Sequence, residues 1–167
     1  AAAGLALRLA DEWTALEDFD AVRRVLLTGY ERCPESDEVR ERLEAFYRER
    51  EEWPSLTALL TAEAERRDDD ESAVTLLRNV AGIQLQSLGD AAAAAEALAK
   101  ARRRMPGDLE LLEELVKVRT HANEHQQAID EVAEAIDVVD EEDAASRGTL
   151  LRLRAALKVS VERYREA

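Results

Sequence analysis

Gly89-Asp90-Ala91-Ala92-Ala93-Ala94-Ala95-Glu96-Ala97-Leu98-Ala99-Lys100-Ala101-Arg102-Arg103-Arg104-Met105-Pro106 is the stretch that decides the fold. A turn signal opens it and a proline closes it, and between them Ala94, Leu98, Ala101 and Pro106 stand 4, 3 and 5 residues apart. Residues three and four apart share a helix face, so this is one amphipathic helix. The pattern then returns. Thirty-four residues on stand Ala128, Val132 and Ala135, with Asn123 where Gly89 was. Upstream, Val22 and Leu26 are echoed 34 residues later by Leu56 and Leu60. Anchors therefore fall at 22, 56, 94 and 128, at intervals of 34, 38 and 34, and the acidic insertion Asp68 to Glu71 takes up the longer interval. A second echo pairs Thr75-Leu-Leu-Arg and Ala81-Gly82-Ile83 with Thr149-Leu-Leu-Arg and Ala155-Ala156-Leu157. A fixed period of this length marks stacked supersecondary units.

Outward from that stretch the periodicity is helical nearly everywhere, as in Val39, Leu43, Phe46 and Tyr47. Breaks every 15 to 20 residues predict nine helices, about 3–16, 20–32, 36–50, 53–67, 71–88, 91–104, 108–122, 125–138 and 143–166. Pro54 stands where a first-turn proline is tolerated, and Ser36 and Asp108 are expected N-caps. The expectation is an all-α, right-handed superhelical array of antiparallel helix pairs. It forms a single helical-repeat domain over 1–167, with repeats at about 3–34, 37–70, 71–107 and 108–140 and a final helix.

Composition fits this. The 167 residues are 46% hydrophobic, but much of that is alanine, which buries little area and requires closely approaching helices. Six glycines and three prolines leave few turns for a sheet. A net charge of -14 excludes a nucleic-acid binder, because phosphate neutralisation needs a basic face. The one cysteine, Cys33, excludes an internal disulfide framework and is read as a small turn residue. No apolar run is long enough to cross a membrane and Ala1 to Ala10 lacks the charged-then-apolar order of a signal peptide, so a cytoplasmic location is the expectation. Arginine far exceeds lysine (only Lys100, Lys117 and Lys158), a bias of GC-rich bacterial genomes. The first residue is not Met, and the chain is read as a piece of a longer protein.

With these residues in place the chain resembles the tetratricopeptide repeat family. That family's 34-residue helix pair has small residues at its eighth, twentieth and twenty-seventh positions, an aromatic at its eleventh and proline at its thirty-second. Matching residues are Leu9, Ala10, Trp13, Val22, Leu26 and Pro34; then Leu43, Tyr47, Leu56 and Leu60. They continue with Ala81, Gly82, Leu85, Ala94, Leu98, Ala101 and Pro106; then Leu112, Leu115, Ala128, Val132 and Ala135. Departures are Glu44 and Val116 at the small eighth position, Arg119 at the aromatic one and Glu63 at an alanine one. Gly82, Ala94, Ala101 and Ala128 are the expected close crossings of helix backbones, with Leu85, Leu98, Leu115 and Val132 filling the gaps between pairs.

The resemblance implies a non-enzymatic protein–protein interaction scaffold that binds a peptide or protein segment on its concave face. Carried over position by position, that face would hold Arg8, Asp11, Glu41, Arg42, Arg48, Leu76, Asn79, Val80, Ile83, Gln86, Glu113 and Lys117. Leu7 and Asp11 stand where chaperone-tail binders have a carboxylate clamp, which argues against that ligand. An apolar floor at Leu76, Val80 and Ile83 with acidic ground on both sides points to a basic partner with apolar anchors.

Two other readings compete. The last helix carries Leu150, Leu151, Leu153, Leu157, Val159 and Val161 on more than one face, so a homodimer or further repeats would cover it, making the array a self-associating structural element. His121-Ala-Asn-Glu124-His125 spells H-x-x-E-H, a zinc-hydrolase signature that needs both histidines on one unbroken helical turn. Asn123 aligns with the turn residue Gly89, so the histidines are expected on different helices, as solvated turn residues with no metal. The runs Asp68 to Glu71 and Asp140 to Asp143 lack calcium-loop order and are read as helix caps, and no cofactor is expected. Arg102 to Arg104 end a helix, where cations complement the dipole.

Overall fold

Four residues with left-handed backbone, Glu17 (φ 57°), Glu51 (φ 54°), Gly89 (φ 67°) and Asn123 (φ 61°), repeat the intervals of the apolar anchors: 34, 38 and 34. They are seen in a computed structural model that describes residues 2–139 and 143–166. Among these it has nine α-helices and no strand. The helices are α1 Ala2–Ala15, α2 Phe19–Arg32, α3 Asp37–Glu49, α4 Trp53–Arg66, α5 Asp70–Gln86, α6 Ala91–Arg104, α7 Leu109–His121, α8 His125–Val138 and α9 Ala144–Glu166. Every boundary lies within two residues of its expected place.

Each left-handed residue ends the first helix of a pair. The next N–H then reaches back to a carbonyl of that helix: Asp18 to Trp13 (3.1 Å), Glu52 to Tyr47 (2.8 Å), Asp90 to Gln84 (2.8 Å) and Glu124 to Arg119 (2.8 Å). Three of the four are not glycine, a cost of about 1–3 kcal/mol apiece that only a conformation imposed by the surrounding packing sustains. The chain is thus a helix-pair repeat at the level of the backbone.

Aspartates start the helices. Asp18, Asp69, Asp90, Asp108 and Asp143 accept the N–H of the residue three places on, at 2.9–3.1 Å. Such a cap contributes about 1 kcal/mol. Asp69 and Asp143 bear out the reading of the two acidic runs as caps; Asp140, Glu141 and Glu142 lie outside the described residues. Ser36 occupies the N-cap of α3 without a side-chain bond.

The chain divides into two compact units, Ala1–Leu59 and Leu60–Ala167. In the first, α1 packs on α2 and α3 is seated against both. Ala6, Ala10, Ala21, Val22, Leu26, Val39 and Leu43 are buried there. The close crossing is at Gly29 of α2, where an added Cβ would stand 2.6 Å from the Ala6 Cβ of α1. In the second unit α5 packs on α6, α6 on α7, α7 on α8 and α8 on α9. Ala94, Ala101, Ala128, Leu98, Leu115 and Val132 are buried as expected. Leu150 and Leu157 of α9 join Leu112, Val116, Ile129 and Ile136 in one cluster. Two assignments need correction. Gly82 has nothing within 4 Å of a built Cβ, so it is no close crossing, and Leu85 is only half-buried.

The charged departures from the expected pattern, Glu44, Glu63 and Arg119, are buried with partners. Glu44 is buried between Arg40 and Arg48, one helical turn to either side on α3. Glu63 is buried beside Arg66 and Arg67. Arg119, in the aromatic position, meets Glu124 at 2.6 Å, Glu96 at 3.2 Å and Glu131 at 3.4 Å. Burial opposes the charge of Arg119, but the hydrogen bonds to Glu124 and Glu96 and the charges of Glu131 and Glu96 outweigh it, and its pKa lies above the ordinary arginine value. Arg102, also buried, donates to the Pro106 carbonyl at 3.0 Å and lies 3.8 Å from Glu131. A buried charge survives only where such partners satisfy it.

Candidate functional site

The first helix of each pair was expected to present the binding residues. In the first unit these lie on α1 and α3. Arg8 and Glu41 are exposed, Arg48 is exposed and bound to Glu44 at 3.4 Å, and Asp11 of α1 pairs with Arg42 of α3 at 3.0 Å. The Asp11–Arg42 pair brings the equivalent faces of consecutive first helices together, as the repeat register requires.

In the second unit Asn79 and Gln86 of α5 and Glu113 and Lys117 of α7 are all exposed. Arg78 of α5 bridges to Glu114 of α7, its Nε 3.0 Å from the carboxylate. Leu76 and Ile83 are half-buried, but Val80 is only 4% exposed and belongs to the core. The expected apolar floor therefore reduces to Leu76 and Ile83. At about 100° per residue these two stand well round α5 from Arg78, on the flank turned away from α7. The structure thus brings Arg78 and Glu114 together and leaves Leu76 and Ile83 apart from Glu113.

His121 is the last residue of α7 and His125 the first of α8, with left-handed Asn123 between them. They do not share a helical turn, as the H-x-x-E-H mechanism requires. Glu124, the would-be base of that motif, is bound to Arg119 at 2.6 Å. Among the described residues no three His, Cys, Asp or Glu side chains converge as a metal site. No helix there is long and apolar enough to cross a membrane.

Sequence reasoning missed the partners of Arg119. A cation at an aromatic position was a visible signal, but Glu96 and Glu131 lie 23 and 12 residues away and are unremarkable in an acidic chain.

No family model matches the chain, and no curated protein matches it. Among solved structures it is similar to one described as the crystal structure of MamA protein. Sequence identity is 14% and the TM-score 0.42, and the match covers 98% of this chain and 88% of that one.

Proposed function

We propose that the chain is a divergent tetratricopeptide-type scaffold that binds a protein segment on the first-helix faces of its pairs and does no chemistry itself. What supports this most is the exposed row on α5 and α7, Asn79 and Gln86 beside Glu113 and Lys117, tied together by the Arg78–Glu114 bridge. Repeat arrays use such aligned faces as extended binding surfaces. Acidic Glu110 and Glu113 outnumber Lys117, favouring a basic segment, and half-buried Leu76 and Ile83, on the other flank of α5, would receive apolar anchors from a segment long enough to cross that helix.

Selection from a displayed peptide library tests the reading. Ligands enriched in Lys or Arg with one or two apolar residues are expected, binding less well in salt, since exposed charges are screened over about 8–10 Å. Ile83→Glu should abolish binding and Glu113→Lys should slow association. Acidic ligands, or ligands indifferent to both changes, would refute it.

A second reading, self-association through α9, is favoured by Leu151 and Val159, which are 49% and 48% exposed. Sedimentation velocity tests it: a dimer that Leu151→Glu dissociates supports it, and a monomer at high concentration removes it.

A further inference from the structure

On the first unit, an apolar cleft of about 260 Å³ runs between α1 and α2. Leu5 and Leu9 form its α1 wall and Val25 and Gly29 its α2 wall. Leu5 is 51% exposed there. Leu9 stands about 200° round α1 from Asp11, the residue that pairs with α3, so the α1 wall of the cleft is turned from α3, while Gly29 of the α2 wall lies close to Val39 of α3. α3 is the precedent for what such a flank accepts: a helix seated against α1 and α2 together.

The rim supplies the chemistry. Arg24 and Arg32 line the cleft on α2. Both are exposed, and neither has a carboxylate within ion-pair distance among the described residues. Arg23, on the same helix, is by contrast paired with Glu52 at 2.5 Å. Eight residues apart, the Cα atoms of Arg24 and Arg32 are separated by about 12 Å along the helix, a little over two turns. The volume falls below the roughly 300–1,000 Å³ of small-molecule sites. It suits one or two inserted side chains.

We propose that this cleft docks an amphipathic helix of a protein partner, which inserts one or two large apolar side chains between Leu5, Leu9 and Val25 and places carboxylates seven or eight residues apart on Arg24 and Arg32. The polarity is opposite to that of the first-helix face on α5 and α7, so the two surfaces take different ligands.

The test uses the full chain and two labelled peptides. One is an alanine-based helix with two leucines one turn apart between glutamates seven residues apart; the other has lysines in place of the glutamates. Fluorescence anisotropy should show the glutamate peptide binding about tenfold more tightly, as two exposed ion pairs allow. Arg24→Glu/Arg32→Glu should reverse the preference, and Leu5→Glu should weaken both peptides. All three changed residues are exposed, and circular dichroism melts confirm that the variants fold. Equal binding of the two peptides, or a preference that survives the double charge reversal, would overturn the proposal. So would a dimer that Leu5→Glu dissociates, which would give the cleft to a second copy of the chain.

Discussion

Gly29→Ala and Gly82→Ala make the same chemical change in two helices and should move stability in opposite directions. Alanine is favoured over glycine in a helix by about 0.8–1.0 kcal/mol, and both variants gain this. At Gly82 nothing lies within 4 Å of the new methyl group, so the gain should be realised. At Gly29 the new Cβ would lie 2.6 Å from the Ala6 Cβ and 3.3 Å from a methyl of Val39. Carbon atoms rest about 3.5–4.0 Å apart, so α1 and α2 must separate by about 1 Å. The Ala6 Cβ is fixed to its backbone and cannot swing aside. Overpacking of this kind costs about 1–3 kcal/mol, which exceeds the propensity gain. Gly29→Ala should therefore destabilise by up to about 2 kcal/mol while Gly82→Ala stabilises by up to about 1 kcal/mol. Urea titration followed by circular dichroism reads both. Subtracting one from the other cancels propensity and isolates the crossing. Adding Ala6→Gly to Gly29→Ala should restore most of the loss relative to Ala6→Gly alone. If the two glycine variants shift together, or Ala6→Gly does not rescue, α1 and α2 do not cross at Gly29.

Arg119→Ala should cost roughly 2–3 kcal/mol by urea titration, below the full penalty for breaking a buried pair because Glu124 and Glu131 keep some water contact. Lys100→Ala, which removes an exposed pair with Glu65, should cost less than about 1 kcal/mol; equal losses would contradict the network assignment. Stoichiometric zinc should leave the melting temperature unchanged, since a specific ligand must stabilise by linkage; a rise of several degrees that His121→Ala abolishes would overturn the turn geometry. Stability should fall in acid. Lys100 holds Glu65, and bonds from Ser72 and Ser146 hold Asp69 and Asp143, below the usual carboxylate range. Folded values below unfolded ones mean stability that is complete above about pH 5 and lost as pH falls through the folded values. Asp69→Asn keeps a cap but removes that proton, so it should flatten the acid slope; a wild-type melting temperature constant down to pH 3 would contradict the shifts.

The helices were legible because every signal that sets them is local. Gly89 and Asn123 mark left-handed turns, Asp90 and Asp108 mark starts, and Ala94, Leu98 and Ala101 mark one face. None needs knowledge of a distant residue. The core positions followed from the same periodicity wherever the buried stripe was narrow. It failed on α5, where Val80 and Gly82 are two residues apart and a shift in helix rotation exchanges core for surface. The register carried over from the resembled family placed Val80 in the groove and Gly82 at the crossing. The structure puts the first in the core and leaves open space around the second.

The charges at family core positions show where local reading stops. Arg40, Glu44 and Arg48 stand at spacings of four, as do Glu63 and Arg67, so a helix alone brings these groups together and the sequence already carries the pairing. Arg119 differs, because Glu96 and Glu131 come from α6 and α8 and meet it only once the pairs are stacked. An aromatic at that position would fill space without choosing its neighbours. A guanidinium with three carboxylates is satisfied in one arrangement and costly in any other. Arg119 with its three carboxylates therefore specifies one register of α6, α7 and α8. Arg24 and Arg32 complete the contrast: in sequence they look no different from paired Arg23, and only the folded chain shows them exposed with no carboxylate within ion-pair distance among the described residues.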